Sequence, residues 1–105
     1  MHADFRLITM KQLTPSEIKS ALTSVPAWSR RRNAIQRTFE FRDFVTAIKF
    51  VNAVARAAEK AEHHPDIDIR WNRVTLVLST HDAGGLTELD FATARRCDVL
   101  ARRFS

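Results

Sequence analysis

The chain has 105 residues, a formal net charge of +5 and a single cysteine. This length fits one domain of ordinary size, which we expect to span residues 1–105 with a loose segment over residues 1–12. Hydrophobic residues make up 45% of the chain, enough for a packed core, so the composition is not that of a disordered protein. One cysteine excludes an intrachain disulfide and suits a cytoplasmic setting. The sequence shows no signal peptide and no apolar run of about 20 residues, so we expect no membrane insertion.

The positive charge leaves two interpretations open. It fits a soluble protein with an arginine-rich surface, and it also fits a site for an anionic partner, because basic surfaces attract nucleic acids and anionic ligands. The charge is spread along the chain apart from Arg30–Arg32 and two arginine pairs near the C-terminus. This spread favours the first interpretation, so nucleic acid binding is not expected, and residues 30–32 are the place to look for a protein partner.

The first half of the chain predicts a helix, a strand and a longer helix. Residues 14–17 (Thr-Pro-Ser-Glu) have the pattern of a capping box with proline at the first helical position, and Pro26 ends this helix. Residues 34–41 alternate as a strand with one buried side does, although Arg37 falls on the apolar side. Residues 43–62 carry apolar side chains at three- and four-residue intervals, which predicts an amphipathic helix.

The second half predicts a β-hairpin between two histidine-bearing segments. Pro65 disfavours helical geometry at the residue before it, so the long helix should end at the histidine pair of residues 63–64. Residues 67–71 and 74–80 predict two strands, the second buried on both sides, whose return brings His81 back toward the pair. The loop at residues 82–85 holds both glycines of the chain, and residues 87–90 form a second capping box that begins the last helix.

Three of the four histidines, His63, His64 and His81, are thus predicted to meet in one place. Imidazole exchanges protons near neutral pH because its ordinary pKa is about 6.5, so the cluster predicts proton transfer. Glu59 lies one helical turn before His63, where a carboxylate would orient the imidazole and raise its pKa. Two alternatives remain: a solvated helix end, or a zinc site with three protein ligands. Adjacent histidines are awkward co-ligands, so we predict no metal.

Two motifs extend this pattern over most of the chain. One is Ala-Glu-Lys-Ala-Glu-His-His-Pro at residues 58–65, and the other is Thr-His-Asp-Ala-Gly-Gly-Leu-Thr at residues 80–87, followed by Asp90. Together with Phe-Glu-Phe-Arg-Asp-Phe at residues 39–44 and Trp-Asn-Arg-Val at residues 71–74, they resemble the pterin-4a-carbinolamine dehydratase family. The resemblance runs from about residue 14 to the C-terminus.

This resemblance implies an α+β fold, with three helices packed on one face of a four-stranded antiparallel sheet, in members that are commonly dimers or tetramers. The implied reaction removes water from 4a-hydroxytetrahydropterin to give quinonoid dihydropterin, without a metal or organic cofactor. It recycles the tetrahydrobiopterin-type cofactor of aromatic amino acid hydroxylases, one of which is a candidate partner. The implied catalytic residues are His63, His64, His81 and Asp90. The implied substrate-binding residues are Glu59, Glu62, Pro65, Thr80, Asp82 and Ala83.

The chemistry of a carbinolamine fits three histidines. A ring nitrogen expels the hydroxyl when an acid protonates the leaving oxygen and a base removes a ring proton, and groups with a pKa near the working pH serve best. We therefore expect His63 or His81 to protonate the hydroxyl, with another histidine as the base or as a pterin contact. His64, next to Pro65, is expected to position the substrate.

The resemblance also implies a second class of function, because family members act as dimerisation or assembly scaffolds for other proteins. Retention of all three histidines and Asp90 favours catalysis. Three further residues are predicted to have structural roles only: Trp28 and Trp71 as core or edge packing, and Cys97 as a small buried apolar residue.

Overall fold

The computed structural model describes residues 11–105, so the predicted loose segment and His2 lie almost entirely outside the described residues. The described chain forms three α-helices and one four-stranded antiparallel sheet in the strand order β1-β2-β4-β3. This confirms the predicted α+β class. In chain order the elements are α1 (Pro15–Leu22), β1 (Ser29–Arg31), β2 (Ala34–Glu40), α2 (Phe44–Ala61), β3 (Asp66–Arg70), β4 (Arg73–Leu78) and α3 (Glu88–Arg102), with a short 3-10 turn at His81–Ala83.

The core lies between one face of the sheet and the helices. Alternate residues of β4 are buried, as are Ile35 and Phe39 of β2, and the remaining residues of both strands are half-buried or exposed. The prediction that β4 is buried on both sides is therefore wrong. Each helix contributes at least one buried side chain to the same apolar cluster as Leu76 of β4: Ile18, Phe50 and Phe91. The predicted capping boxes at the starts of α1 and α3 are both present.

Arg37 lies on the apolar side of β2 because it has a partner on α3. Its guanidinium donates to Asp98 Oδ1 at 2.6 Å, and the guanidinium carbon Cζ lies 4.2 Å from the centre of the Phe39 ring. Trp28 Nε1 donates to the same carboxylate oxygen at 2.8 Å. Trp28 is buried, as predicted. One carboxylate therefore joins β2 and α3 to the segment before β1.

The packing role predicted for Trp71 is wrong. Its side chain is 67% exposed, and its backbone has a φ of 51°. Arg70 pairs with Arg73 at the end of the β3–β4 ladder, which places Trp71 at the tip of the hairpin. Asn72 is the buried member of this turn and donates its side-chain amide to the Phe41 carbonyl at 2.6 Å.

Cys97 is buried in α3, as predicted. Desolvation disfavours its thiolate and, with the nearby charge of Asp98, raises the pKa of the thiol to about 12. The thiolate is the reactive species. We therefore expect a disulfide reagent at pH 8 to modify the native thiol at least about a hundredfold more slowly than the urea-unfolded thiol. A Cys97→Ser variant is the blank, and equal rates in the two states would contradict this burial.

Candidate active site

The histidine pair lies where α2 ends. Glu62 adopts the left-handed conformation, with a φ of 53°, and the His63 amide donates back to the Ala58 carbonyl at 3.1 Å. This is a common way for a helix to end, and it falls where Pro65 predicts. The turn sends the two imidazoles in different directions: His63 is buried, and His64 is largely exposed.

His63 is held by a buried carboxylate on α3. His63 Nε2 lies 2.6 Å from Asp90 Oδ1, and the Asp90 side chain has no exposed surface. Asp90 Oδ2 accepts from the Thr80 hydroxyl at 2.8 Å and from the Thr87 amide at 3.0 Å. The second contact is half of the α3 capping box. The residue that starts the last helix therefore also orients a histidine of the site.

The hydrogen-bond directions around Asp90 follow from counting protons. Because the Thr80 hydroxyl donates to Asp90, the Thr87 hydroxyl is the donor in the 2.9 Å contact between the two threonines. Thr87 Oγ1 then accepts from the Leu89 amide at 3.2 Å. Asp90 meets two donors besides His63, which suits an ionised carboxylate, an acceptor that donates nothing. When Asp90 is ionised, His63 Nε2 is therefore the donor to Asp90 Oδ1.

The other ring nitrogen of His63 is open to a ligand. Within residues 11–105, every fully buried side-chain nitrogen or oxygen has a hydrogen-bond partner. His63 Nδ1 makes no hydrogen bond in that part of the chain, so it is not fully buried, and His63 lines the adjoining cavity. The imidazole thus has one nitrogen fixed by Asp90 and one available for proton transfer.

His64 is paired with Glu59 through its Nε2 atom. The prediction that Glu59 would orient His63 is therefore wrong. The left-handed conformation of Glu62 breaks the helical spacing after Ala61, so His64, and not His63, returns over the preceding turn. The site contains two histidine–carboxylate pairs, one buried and one exposed.

The third histidine joins the pair at a cavity of about 230 Å³, as the hairpin predicts. His81 follows β4 in the short 3-10 turn, and the loop closes where Gly84 takes a φ of 77° and the Thr80 amide donates to the Gly85 carbonyl at 3.1 Å. The side chains and backbone around this cavity come from Glu62, His63, His64, Ser79, Thr80, His81, Asp82 and Leu89.

The predicted site residues divide into three groups. The three histidines line the cavity together with Glu62, Thr80 and Asp82. Asp90 and Glu59 do not line the cavity, and they pair with His63 and His64 respectively. Pro65 and Ala83 line neither this cavity nor its larger neighbour.

Sequence reasoning missed the larger neighbouring cavity, of about 450 Å³, which shares His64, Ser79 and His81 with the first. It extends across the sheet end to Arg32 and Asn33 in the β1–β2 turn and to Asp66 at the start of β3. The alternation of strand β4 places Ser79 outside the core, and this was the one signal in the sequence that Ser79 lines a cavity. No sequence signal indicated that Arg32 and Asn33, in a turn more than 45 residues earlier, would line the same cavity.

Two further properties of residues 11–105 bear on function. No three His, Cys, Asp or Glu side chains there are arranged to hold a metal ion. No helix there has the length and apolar character of a membrane span.

The fold and site define a small α+β domain in which three histidines line one cavity at the end of a helix. The family described as Pterin 4 alpha carbinolamine dehydratase matches residues 11–100, and the chain belongs to this family. This confirms the resemblance found in the sequence.

Proteins of similar sequence or structure match this chain over most of its length. A relative from Acidobacterium capsulatum, named for pterin-4-alpha-carbinolamine dehydratase activity, is 58% identical over 91 residues, which are 87% of this chain and 99% of the relative. A relative from Picosynechococcus with the same name is 52% identical over 85% of this chain and 97% of its own length. The crystal structure of a transcriptional coactivator/pterin dehydratase from Brucella melitensis has a TM-score of 0.84 at 42% identity, over 87% of this chain and 99% of that one.

A more distant structure carries a different description. It is a pterin dehydratase-like protein identified as a RuBisCO assembly factor in the alpha-carboxysome. Its TM-score is 0.59 at 25% identity, and the match covers 70% of this chain and 86% of that one. The fold is thus shared by proteins described as dehydratases and by one described as an assembly factor.

Proposed function

We propose that this protein is a pterin-4a-carbinolamine dehydratase, a hydro-lyase that removes water from 4a-hydroxytetrahydropterin to give quinonoid dihydropterin. The observation that carries the proposal is the convergence of His63, His64 and His81 on one cavity, with His63 fixed by the buried Asp90. Family membership supplies the substrate class.

The reaction needs two proton transfers and no change of oxidation state. The lone pair of ring nitrogen N5 forms the C–N double bond while the bond from C4a to the hydroxyl oxygen breaks. An acid delivers a proton to that oxygen, which leaves as water, and a base removes one proton from the ring system. Positioned acids and bases typically contribute about 10²- to 10⁴-fold to such a step.

His63 is the base in this proposal, and His81 is the acid. The ionised Asp90 carboxylate stabilises the imidazolium that forms when His63 Nδ1 takes the ring proton. His81 lines the cavity from the opposite segment and has no side-chain partner among the described residues, so it is free to meet the leaving oxygen. His64, held by Glu59, positions the pterin together with Glu62, Thr80 and Asp82.

The two histidines account for both protons, so we propose that the reaction uses no metal and no organic cofactor. In the cell, the substrate would come from an aromatic amino acid hydroxylase, and the product would return to a tetrahydrobiopterin-type cofactor by reduction. We place this cycle in the cytoplasm, which a single buried thiol suits.

The direct test is stopped-flow dehydration of enzymatically generated 4a-hydroxytetrahydropterin. We expect the folded protein to accelerate the loss of water over the spontaneous rate, with an inflection of kcat/KM between about pH 5 and 8 from histidine. Acceleration without any inflection in that range would count against the histidines. No acceleration by folded protein would overturn the proposed activity.

We also propose that the protein is a homodimer or homotetramer, and the β3 edge supports this. In the described sheet β3 is an outer strand whose residues are all exposed, with Ile67 at 37% and Ile69 at 38% on the core face of the ladder. Unpaired edges of this kind invite pairing with another strand. We expect Ile69→Lys to shift the mass measured by light scattering toward the monomer, while Ser20→Lys on the exposed side of α1 leaves it unchanged. An unchanged mass in both variants would contradict assembly through this edge.

Scaffolding is the second candidate function, favoured by the assembly-factor description of one structural neighbour. The two functions separate in a variant in which His63, His64 and His81 are all alanine. A scaffold would still capture a single stoichiometric partner in a pull-down, whereas the dehydratase would lose its activity. The basic residues 30–32 are the surface to mutate if such a partner is found.

A further inference from the structure

The outer strand β3 has a charge pattern that is complementary to itself. Its five exposed residues, Asp66 to Arg70, read Asp-Ile-Asp-Ile-Arg, so an acidic residue stands at one end and a basic residue at the other. Two such strands in antiparallel contact would bring opposite charges together at both ends. In a two-fold dimer the same surface serves both copies, so a self-complementary edge suits a second copy of this chain.

The alternation of side chains limits how two copies of β3 can pair. A shift by one residue would turn Ile67 and Ile69 from the core face to the open face of the sheet. Among the registers that avoid this, a dimer axis at Asp68 is the one that pairs all five residues of both strands. An axis at Ile67 would set Asp66 against Asp68 of the second copy. An axis at Ile69 would bring Trp71, whose backbone is left-handed, into the ladder.

With the axis at Asp68, Asp66 of each copy faces Arg70 of the other, and Ile67 faces Ile69. Cross-strand pairs of opposite charge and of apolar side chains stabilise a sheet. The two Asp68 carboxylates meet at the axis, and each already accepts from Nε of its own Arg70 at 3.1 Å, which reduces their repulsion. Within residues 11–105, Asp66 forms no ion pair, so its carboxylate is available to the second copy.

The same register accounts for an exposed aromatic side chain. Trp71 is 67% exposed at the tip of the β3–β4 hairpin. One position beyond Arg70, it comes level with Pro65 of the second copy, beside the segment that carries the histidine pair. Tryptophan is enriched in the buried parts of protein interfaces, so a dimer gives this side chain a role that packing within one chain does not.

The end of β3 that meets Arg70 of the second copy belongs to the candidate site. Asp66 lines the 450 Å³ cavity together with His64, and both side chains are exposed. A guanidinium paired with Asp66 from outside the sheet edge therefore adds to the wall of this cavity. One guanidinium has five N–H donors, so Arg70 can serve its own Asp68 and Asp66 of the other copy at once.

We propose that β3 pairs with β3 of a second copy about an axis at Asp68, and that Arg70 of each copy pairs with Asp66 of the other and completes the wall of its cavity. This inference rests on the homo-oligomer and the active site proposed above, and it adds the register and the shared residue. Each dimer then holds two equivalent sites, and each site is built from two chains.

Charge reversal tests the pairing of Asp66 with Arg70. We expect Asp66→Lys and Arg70→Asp each to weaken dimerisation at least about tenfold, measured by light scattering over a dilution series. An equal mixture of the two variants should recover the wild-type dimer, because only the mixed dimer sets unlike charges at both ends. Arg31→Asp is the matched control, an exposed arginine on β1 at the opposite edge of the sheet, and should leave the mass unchanged.

Cysteine crosslinking tests the register. Directly opposed residues of an antiparallel pair have Cα atoms about 4.5–5.5 Å apart, within the range of a disulfide. In a Cys97→Ser background we expect Asp68→Cys to form a covalent dimer on mild oxidation at least about tenfold faster than Ile67→Cys or Ile69→Cys, which lie off the axis. Asp66→Cys mixed with Arg70→Cys should give a covalent mixed dimer, and neither variant alone should crosslink.

Three results would overturn this arrangement. A wild type that stays monomeric at all concentrations would leave the edge to another partner or to none. A mixture of the charge-reversed variants that does not recover the dimer would remove Asp66 and Arg70 from the contact. Fastest crosslinking through Ile67→Cys or Ile69→Cys would place the axis elsewhere on β3.

The dehydration assay on the same proteins separates the shared site from the assembly and from the proposed activity. We expect Arg70→Asp alone to raise KM at least about threefold with little change in kcat, and half of the sites in the mixture to recover the wild-type KM. A mixture that regains the dimer without lowering KM would make Arg70 an interface residue only and overturn the shared wall. A wild type that dimerises and crosslinks as expected without accelerating dehydration would keep the arrangement and overturn the proposed activity.

Discussion

A His63→Ala variant should lower kcat/KM for carbinolamine dehydration by about 10²- to 10⁴-fold, the contribution of one positioned acid–base group. His63 is the histidine with the strongest structural case, because Asp90 fixes Nε2 at 2.6 Å and leaves Nδ1 open to the cavity. Alanine removes the proton acceptor at that point. The measurement is stopped-flow absorbance at a series of substrate concentrations and pH values, and the variant should lose one limb of the pH profile.

Because His63 is buried, replacing it also removes packing, and a loss of activity in His63→Ala would then reflect a folding defect. A second variant controls for this. His81→Ala removes the proposed proton donor from an exposed position, so it should keep the wild-type thermal melt and lose activity to a similar degree. His64→Ala should raise KM more than it lowers kcat, because we assign His64 to positioning. A folded His63→Ala protein with wild-type kcat/KM would contradict the assignment of the base.

The elements of this fold could be predicted because their signals are local. The capping boxes at residues 14–17 and 87–90 lie within one helical turn, and the end of α2 follows from the proline next to the histidine pair. The alternation in β2 identified its buried face correctly. The β3–β4 hairpin then placed His81 beside the pair, because a short antiparallel connection returns the chain to its start.

The site was predicted less completely, since its partners come from distant positions or depend on a single backbone conformation. Arg37 could not be explained without Asp98, which lies 61 positions further along the chain. Glu59 pairs with His64 because Glu62 is left-handed, and the spacing of an ideal helix does not include that change. Arg32 reaches the cavity through a turn that no motif marks.

Removing the Asp90 side chain should cost the fold more than removing any surface carboxylate. Asp90→Ala leaves the His63 N–H, the Thr80 hydroxyl and the Thr87 amide without their common acceptor, all in a buried setting. Loss of one partner of a buried pair typically lowers the free energy of unfolding by about 3–5 kcal/mol. Urea unfolding at pH 7 measures this, and Glu88→Ala is the matched control on the same helical turn. Its exposed pair with Arg95 is worth about 0–1 kcal/mol.

Asp90→Asn separates the structural role of this residue from its catalytic one. The amide oxygen can still accept from the Thr87 amide and the Thr80 hydroxyl, so the capping box survives and stability should fall by less than in Asp90→Ala. The amide is neutral and cannot stabilise the His63 imidazolium, so kcat should fall nearly as far as in His63→Ala. Wild-type activity in a stable Asp90→Asn protein would show that the negative charge is not needed. In that case the contact between His63 and Asp90 would serve only to hold α3 against the end of α2.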